Sequence, residues 1–259
     1  MHSFTSVGRP DTSRRTLLCA ALAALTAAGG AFSPRAAGAA PWPSDPSALA
    51  RAVASAYENE ERGVVAFDVT QSTEIRGTLF HRDDLDVTAF VEADGKLVHK
   101  AVLRHVEGGK SDDRAGLAKR EAEPQSPLGR FAMRLPCDPA AQADYSFEEP
   151  QDEGVVLAFR ARVRDQAHGD GRIVLDPGGT RIARIEFKPA VLPDRASAAN
   201  VTIAFGPLGA GRYGIARIVR TFEGHVGPLR GRATSTAVYG NVRAFASAGA
   251  ATEAVEHER

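Results

Sequence analysis

The stretch that decides the fold lies between residues 154 and 245 and contains six short runs: GVVLAFRARV (154–163), GRIVLD (171–176), TRIARIEFKP (180–189), ANVTIAF (199–205), YGIARIVRTF (213–222) and TSTAVYGNVRAF (234–245). Apolar and polar side chains alternate in these runs, as in a β-strand with one buried and one solvated face. Short alternating strands separated by turn residues predict one antiparallel sheet. Ile215 and Val219 continue the alternation. The residues expected to share one dry face are Phe159, Ile185, Phe187, Ile203 and Phe205.

Strands are also predicted upstream of this stretch. VVAFDVTQ (64–71) alternates apolar and polar residues, and a second strand is expected from Glu74 to His81. Asp94-Gly95 indicates a tight hairpin between two further strands. The arm before this hairpin is expected to present one apolar face with Leu85, Val87, Ala89 and Val91.

A helix is predicted in front of the strands. Ser44 suits the N-cap position, and the residues from Ala48 to Glu60 are mostly helix formers. Its apolar residues form one stripe, suited to packing on a sheet: Leu49, Val53, Ala56 and Tyr57. The whole pattern predicts a mainly β (α+β) fold with an amphipathic N-terminal helix. The sheet is expected to be a strongly curved antiparallel sheet, or unclosed β-barrel, of about 9–11 strands. A closed barrel is the nearest alternative.

The organisation of the chain follows from where this pattern stops. A loop and helical insertion interrupts it at about residues 107–150, with short helices expected near 115–123 and 127–134. Such an insertion is either a lid or a poorly ordered loop. The Ala-rich, acidic tail from 247 to 259 is expected to be disordered. Residues 40–246 are therefore predicted to form a single domain.

The first 39 residues have the features of a cleaved export signal. Arginines precede an apolar run at 17–28, and Ala37-Gly38-Ala39 fits a cleavage site near Ala39. Ser13-Arg14-Arg15-Thr16 followed by two leucines is typical of a twin-arginine signal, with an ordinary secretory signal as the alternative. The apolar run is shorter than the roughly 20 residues that span a bilayer. A periplasmic location is predicted.

Charge and cysteine content exclude several classes of function. The full chain has 32 basic and 32 acidic residues, and removal of residues 1–39 leaves 28 basic and 31 acidic ones. The basic residues are scattered, so no nucleic-acid partner is expected. Cys137 would be the one cysteine left, so no internal disulfide can form. Cys137 lacks a neighbouring His or Lys and is interpreted as structural or incidental.

No catalytic or metal motif is recognisable in the sequence. G-x-S-x-G, P-loop, H-E-x-x-H and paired C-x-x-C patterns are absent. His81, His99 and His105 fall in predicted strands, where they are interpreted as exposed. Alternation places His99 and His105 on one face, but no third ligand has a metal-binding spacing. His168-Gly169-Asp170-Gly171 is interpreted as a β-turn. No enzyme activity, metal or cofactor is predicted.

The residues resemble the periplasmic lipoprotein-sorting carriers LolA and LolB and their relatives. The resemblance rests on the N-terminal helix in an exported chain and on three segments: GRIVLDP (171–177), RIARIEF (181–187) and YGNVRAF (239–245). It implies an unclosed β-barrel with a helical lid over an apolar cavity that holds acyl chains. The insertion at 107–150 is larger and more charged than the resemblance would imply.

The function predicted from these features is a non-enzymatic binding or carrier module for a hydrophobic ligand. The ligand would be a lipid or a lipoprotein acyl chain, with an acylated lipoprotein and a transient membrane-protein partner as possible contacts. The alternative is a structural or interaction domain of the cell envelope with a filled core. The residues predicted to line the ligand are Phe67, Leu85, Val87, Leu157, Phe159, Ile185, Phe187, Ile203, Phe205 and Ile215.

Overall fold

The computed structural model describes residues 43, 45–58, 63–123, 133–148, 151–152, 156–176, 181–209, 211–226 and 229–259. The predicted export signal lies outside these residues. Within the described part of the chain, no helix has both the length and the apolar character needed to span a membrane.

One antiparallel sheet of eleven strands dominates the part of the chain that the structure describes. Its strand order is β4-β3-β2-β1-β11-β10-β9-β8-β7-β6-β5, so the last strand inserts beside the first and the two edges, β4 and β5, are not paired with each other. This confirms the predicted mainly β fold with an unclosed sheet. The strands are β1 (Val64–Gly77), β2 (His81–Ala93), β3 (Lys96–Glu107), β4 (Lys110–Ser111), β5 (Tyr145–Phe147), β6 (Val156–Ala161), β7 (Gly169–Leu175), β8 (Ile182–Pro189), β9 (Ala196–Gly209), β10 (Arg212–Val226) and β11 (Leu229–Phe245).

The predicted turn between β2 and β3 is confirmed, but the predicted strand boundaries after β1 are not. Asp94 and Gly95 have φ values of 49° and 74°, as the predicted tight turn between β2 and β3 requires. The prediction of a separate strand from Glu74 to His81 is wrong. β1 continues to Gly77 because it pairs with β11 on one side and β2 on the other over this whole length.

Within the described residues, three α-helices accompany the sheet: α1 (Pro46–Glu58), α2 (Arg114–Ala122) and α3 (Ala248–Glu256). α1 is the predicted N-terminal helix, and the Asp45 carboxylate caps it by accepting a hydrogen bond of 2.7 Å from the Ala48 N–H. α2 is the first helix expected in the insertion, and Asp113 caps it. The second helix expected there, at 127–134, lies mostly outside the described residues, and Met133 and Arg134 are not helical.

The tail after residue 246 corrects the sequence expectation, because it forms α3 instead of being disordered. Ser247 caps the helix by accepting a hydrogen bond from the Ala250 N–H. Ala251 and Val255, one helical turn apart, are both fully buried. They pack on β1, β2 and β3 against Ala66, Ala89, Val91 and Ala101. Small residues on both sides allow this close packing, and the tail therefore has an apolar partner that its own composition does not reveal.

The two faces of the sheet are covered by different elements. We call the face that carries Phe67 and Phe90 the inner face and the face that carries Val91 and Ala101 the outer face. The inner face packs against Leu49 and Val53 of α1 and against the apolar side chains of segment 133–141. The outer face of β1–β3 packs against α3. The described end of the insertion is therefore part of the core.

Candidate ligand-binding site

Eight of the ten residues predicted to line a ligand belong to the inner apolar cluster. Six of them are buried there, at 0–8% exposure: Phe67, Leu157, Phe159, Ile185, Phe187 and Ile203. Phe205 and Ile215 are partly buried and pack against the same cluster. The shared dry face that the alternation predicts for Phe159, Ile185, Phe187, Ile203 and Phe205 therefore exists.

The structure does not bring Leu85 and Val87 to this cluster. Phe90 faces Phe67 across β1 and β2, with ring centroids 5.6 Å apart, so the even-numbered residues of β2 point to the inner face. Leu85 and Val87 share the parity of Ala89 and Val91, which pack on the outer face. Alternation predicted this odd-numbered face correctly, but it could not show on which side of the sheet the face lies.

The apolar part of the inner face is occupied by side chains of the protein itself. Met133, Leu135 and Cys137 are buried at 8%, 2% and 0% exposure. Tyr145 packs edge-on against Phe159, and its hydroxyl donates a hydrogen bond to the Arg134 carbonyl oxygen. Burial raises the pKa of the Tyr145 phenol, so the group stays neutral. α1 and segment 133–145 thus form a cover over the apolar zone.

A polar cavity of about 410 Å³ lies on the same face, toward β1, β2, β3 and α2. Its polar lining contrasts with the apolar zone, and among the described lining residues only Ile75 and Val102 are apolar. The lining residues are Gln71, Thr73, Ile75, Arg82, Asp84, Asp86, Thr88, Val102, His105, Glu107, Arg120 and Glu123. The inner face therefore has an apolar zone and a polar zone.

Ion pairs organise the charged wall of this cavity. Arg82 contacts Asp84 at 2.9 Å and Glu107 at 2.8 Å. Arg120 contacts Asp112 at 2.5 Å, and this hydrogen bond lowers the pKa of the Asp112 carboxyl and raises that of the Arg120 guanidinium. The second contact of Arg120, to Glu107, is 3.5 Å long. Each arginine in the wall is thus already balanced by carboxylates.

His105 is a buried residue of the cavity, and the sequence did not predict its burial. Its side chain is 6% exposed, and Nδ1 donates a hydrogen bond to Asp86, which corrects the expectation of an exposed strand histidine. His105 and His99 also do not share a face. β3 carries an extra residue, Leu103, between its pairings with Thr88 and Val87, and such a bulge reverses the alternation.

Arg220 is the second residue that sequence reasoning missed. Alternation from Ile215 predicted Val219 on the dry face, but Ala216 is an extra residue opposite β9, so Ile218 and Arg220 point inward instead. Arg220 is 5% exposed, and burial lowers the pKa of its guanidinium. Its partner in β11 is Ser235, whose hydroxyl accepts a hydrogen bond from Thr73, and its partner in β9 is Val201 of the inner cluster. Arg220 therefore lies where the apolar zone meets the polar zone.

His168 lies at the end of the cover. The interpretation of residues 168–171 as a β-turn is wrong. Gly169 begins β7, and His168 is 4% exposed. Its ring nitrogens lie 2.7 Å from Asp165 and 3.1 Å from Asp144. This cluster joins the end of the insertion to the β6–β7 connection and has a structural role.

Known proteins are only weakly similar to this chain. No family model matches the sequence, and no curated protein is significantly similar to it. The structure is similar to a LolA superfamily protein from Nitrosomonas europaea, with a TM-score of 0.34, 11% identity and coverage of 78% of this chain and 94% of that chain. It is also similar to a domain from Vibrio parahaemolyticus assigned to the outer membrane lipoprotein-sorting proteins, with a TM-score of 0.39, 12% identity and coverage of 81% and 97%.

These neighbours are of the class that the sequence resemblance named. Since both TM-scores are below 0.5, neither alignment transfers a function or a site residue. The function is therefore argued from the residues of this chain.

Proposed function

We propose that this protein is an exported, non-enzymatic binding or carrier module for a hydrophobic ligand. The ligand, a lipid or a lipoprotein acyl chain, takes the place of the cover on the apolar zone of the inner face. The periplasm is the compartment of this function, and the signal at residues 1–39 directs the chain there. An acylated lipoprotein delivers or receives the chain, with transient contact to a membrane protein.

The observation that carries the proposal is the way α1 covers the apolar zone. The described side chains that join α1 to the inner cluster are Leu49 and Val53, with Ala52 at the edge, and all three are apolar. An acyl chain offers the sheet the same kind of contact, because each buried CH₂ contributes about 0.8 kcal/mol. A ligand can therefore replace α1 without leaving a buried polar group unpaired.

The polar cavity beside the apolar zone supports a ligand with two different ends. An acyl chain attached to a polar group would place the chain on residues such as Ile203 and Phe205. The polar group would then lie toward Arg82, Asp84 and Gln71, which line the cavity. Ligand sites commonly combine an apolar wall with a few polar groups that orient the ligand.

The filled interior favours one alternative, a structural or interaction domain of the cell envelope that binds no ligand. Ile185 and Ile203 have no exposed surface, and a close-packed interior is the normal state of a sheet face. In this alternative α1 is a permanent part of the core.

The two functions are separated by lipid analysis and a cover variant. Purified protein is extracted with organic solvent, the extract is analysed for lipid, and binding of a fluorescent fatty acid is measured. Lipid in the extract or saturable binding supports the carrier. Absence of both contradicts it.

Val53→Ala then tests the role of α1. If α1 is a displaceable cover, weakening it raises the open fraction and lowers the apparent Kd, by about tenfold for each 1.4 kcal/mol. Ser55→Ala, on the exposed side of the same helix, is the matched control and leaves the Kd unchanged. If Val53→Ala only lowers stability, the filled-core alternative is correct.

Phe205→Glu tests the apolar zone itself. Phe205 is only partly buried, so the variant can fold while placing a carboxylate among the proposed ligand contacts. Loss of fatty-acid binding with retained β-sheet circular dichroism supports the proposal. Unchanged binding in a folded variant contradicts this placement of the ligand.

A further inference from the structure

Three metal-binding side chains meet where β3, α2 and α3 come together. They are His99 of β3, Glu121 of α2 and Glu256 of α3, and one ligand atom from each lies within 4.8 Å of the others. The His99 Nε2 atom is 2.9 Å from Oε1 of Glu256. Two ligands of one tetrahedral zinc ion, each at about 2.0–2.2 Å from it, lie about 3.3 Å apart. The separation is therefore close to that of a chelating pair.

The surroundings of His99 favour a ligand at this position. The imidazole is 23% exposed, and its buried Nε2 atom faces the Glu256 carboxylate at 2.9 Å. A cation bound between Nε2 and the carboxylates would be coordinated by both kinds of ligand, as in a metal site.

We propose that His99, Glu121 and Glu256 form a binding site for a divalent transition-metal ion of the zinc type. One imidazole nitrogen and two carboxylates are ligands that Zn²⁺ accepts, and a water molecule completes four-coordination. The site joins the insertion to the C-terminal helix and to the sheet. It uses no residue of the apolar zone or the polar cavity, so it does not depend on the proposed function.

The Arg259 guanidinium is a cation that would compete with a metal ion for the two glutamates. It forms ion pairs with both Glu121 and Glu256, the latter at 3.1 Å. Both carboxylates therefore face a cation already, and the charges at this position suit a bound metal ion. The Arg259 side chain is 32% exposed and can turn into solvent when the metal binds.

A second group of similar composition provides an internal control. Glu74, His81 and Asp83 also lie within 4.8 Å of one another, but all three belong to one hairpin. His81 and Asp83 are 52% and 70% exposed. A cation bound there would be an adventitious surface ion and would not join separate elements of the fold.

The test is thermal unfolding of the full chain with Zn²⁺, and with Mg²⁺ for comparison. At a Zn²⁺ concentration of a hundred times Kd, Tm is expected to rise by about 5–10 °C, with no rise in Mg²⁺. His99→Ala and Glu256→Gln abolish the rise, whereas His81→Ala retains it. Arg259→Ala increases the affinity for Zn²⁺, because the competing charge is removed. No rise in the parent chain, or a rise that survives His99→Ala, overturns the proposal.

Absorption spectra of bound Co²⁺ test the site independently of thermal unfolding, in case a substitution destabilises the protein. Co²⁺ in a four-coordinate site gives visible absorption bands, which are measured in the folded parent and in Arg259→Ala. Bands in both proteins that Zn²⁺ displaces support the site. Spectra of free Co²⁺ in both overturn it.

Discussion

The Nδ1 atom of buried His168 lies 2.7 Å from Oδ1 of Asp165. The same carboxylate oxygen accepts hydrogen bonds from the backbone N–H groups of Ala167 and His168. The hydrogen bond from the His168 ring is the main cause that lowers the pKa of the Asp165 carboxyl, and it outweighs the opposing effect of burial. The pair therefore stabilises the β6–β7 connection only while Asp165 is ionised.

Asp165→Asn is expected to lower stability in a pH-dependent way. A carboxyl with a lowered pKa in the folded state stabilises the protein above its unfolded pKa of about 4, and this contribution is lost as the pH falls through the folded pKa. The loss at pH 7 is on the order of 1 kcal/mol, because the carboxylate is half exposed. Urea unfolding of both proteins from pH 7 to pH 3 measures it.

The difference in the free energy of unfolding between the parent and Asp165→Asn should become smaller toward low pH. Asp194→Asn, at an exposed position, is the control and has no effect. A difference for Asp165→Asn that is constant with pH would contradict the role assigned to the ionised carboxylate.

Ile185→Ala is expected to reduce the free energy of unfolding by about 2–5 kcal/mol. Ile185 is fully buried between its neighbours in β7 and β9, Ile173 and Ile203, so its truncation leaves a cavity in a close-packed region. Val191→Ala, at a site that is 42% exposed, should change stability by less than about 0.5 kcal/mol. Equal effects of the two changes in urea unfolding would show that Ile185 is not in a packed core.

Gly171→Ala is expected to cost about 1–3 kcal/mol through overpacking. A Cβ atom at this position would lie 1.9 Å from the Glu186 carbonyl oxygen and 2.6 Å from the Phe187 Cα, and both are backbone atoms of the neighbouring strand. Gly240 is the matched control, since nothing lies within 4 Å of a Cβ there. Thermal unfolding should separate the two variants, and full tolerance of Gly171→Ala would contradict the close approach of β7 and β8.

Val255→Asp tests whether α3 is part of the folded domain. Val255 is fully buried on the outer face, so a carboxylate there is expected to cost at least about 2 kcal/mol. Ala250→Asp changes an exposed residue near the start of the same helix and should have little effect. If Val255→Asp unfolds in urea like the parent, the tail contributes nothing to stability.

The predictions from the sequence are most accurate where a local pattern decides the structure. The alternation in β6, β8 and β9 brings Phe159, Ile185 and Ile203 to one face, because successive side chains of a strand always point to opposite sides. The Asp94-Gly95 turn and the amphipathic helix α1 also follow from local residue preferences.

Strand bulges limit what alternation can predict. Without bulges, the Asp94-Gly95 hairpin would pair Asp86 with Leu103. Two extra residues in β3, at Val98 and Leu103, shift the partner of Asp86 to His105. A bulge depends on how neighbouring strands twist and pack, so the Asp86–His105 hydrogen bond could not be derived from spacing.

By itself, the sequence determined the mainly β class, the helix that precedes the sheet and the set of residues on one dry face, since these depend on periods of two and 3.6 residues. Only the tertiary structure decided that α1 and segment 133–145 fill this face, that α3 packs on the other, and that His99, Glu121 and Glu256 meet. These contacts join residues far apart in the chain. Their free energy comes from packing between elements, which no local pattern records.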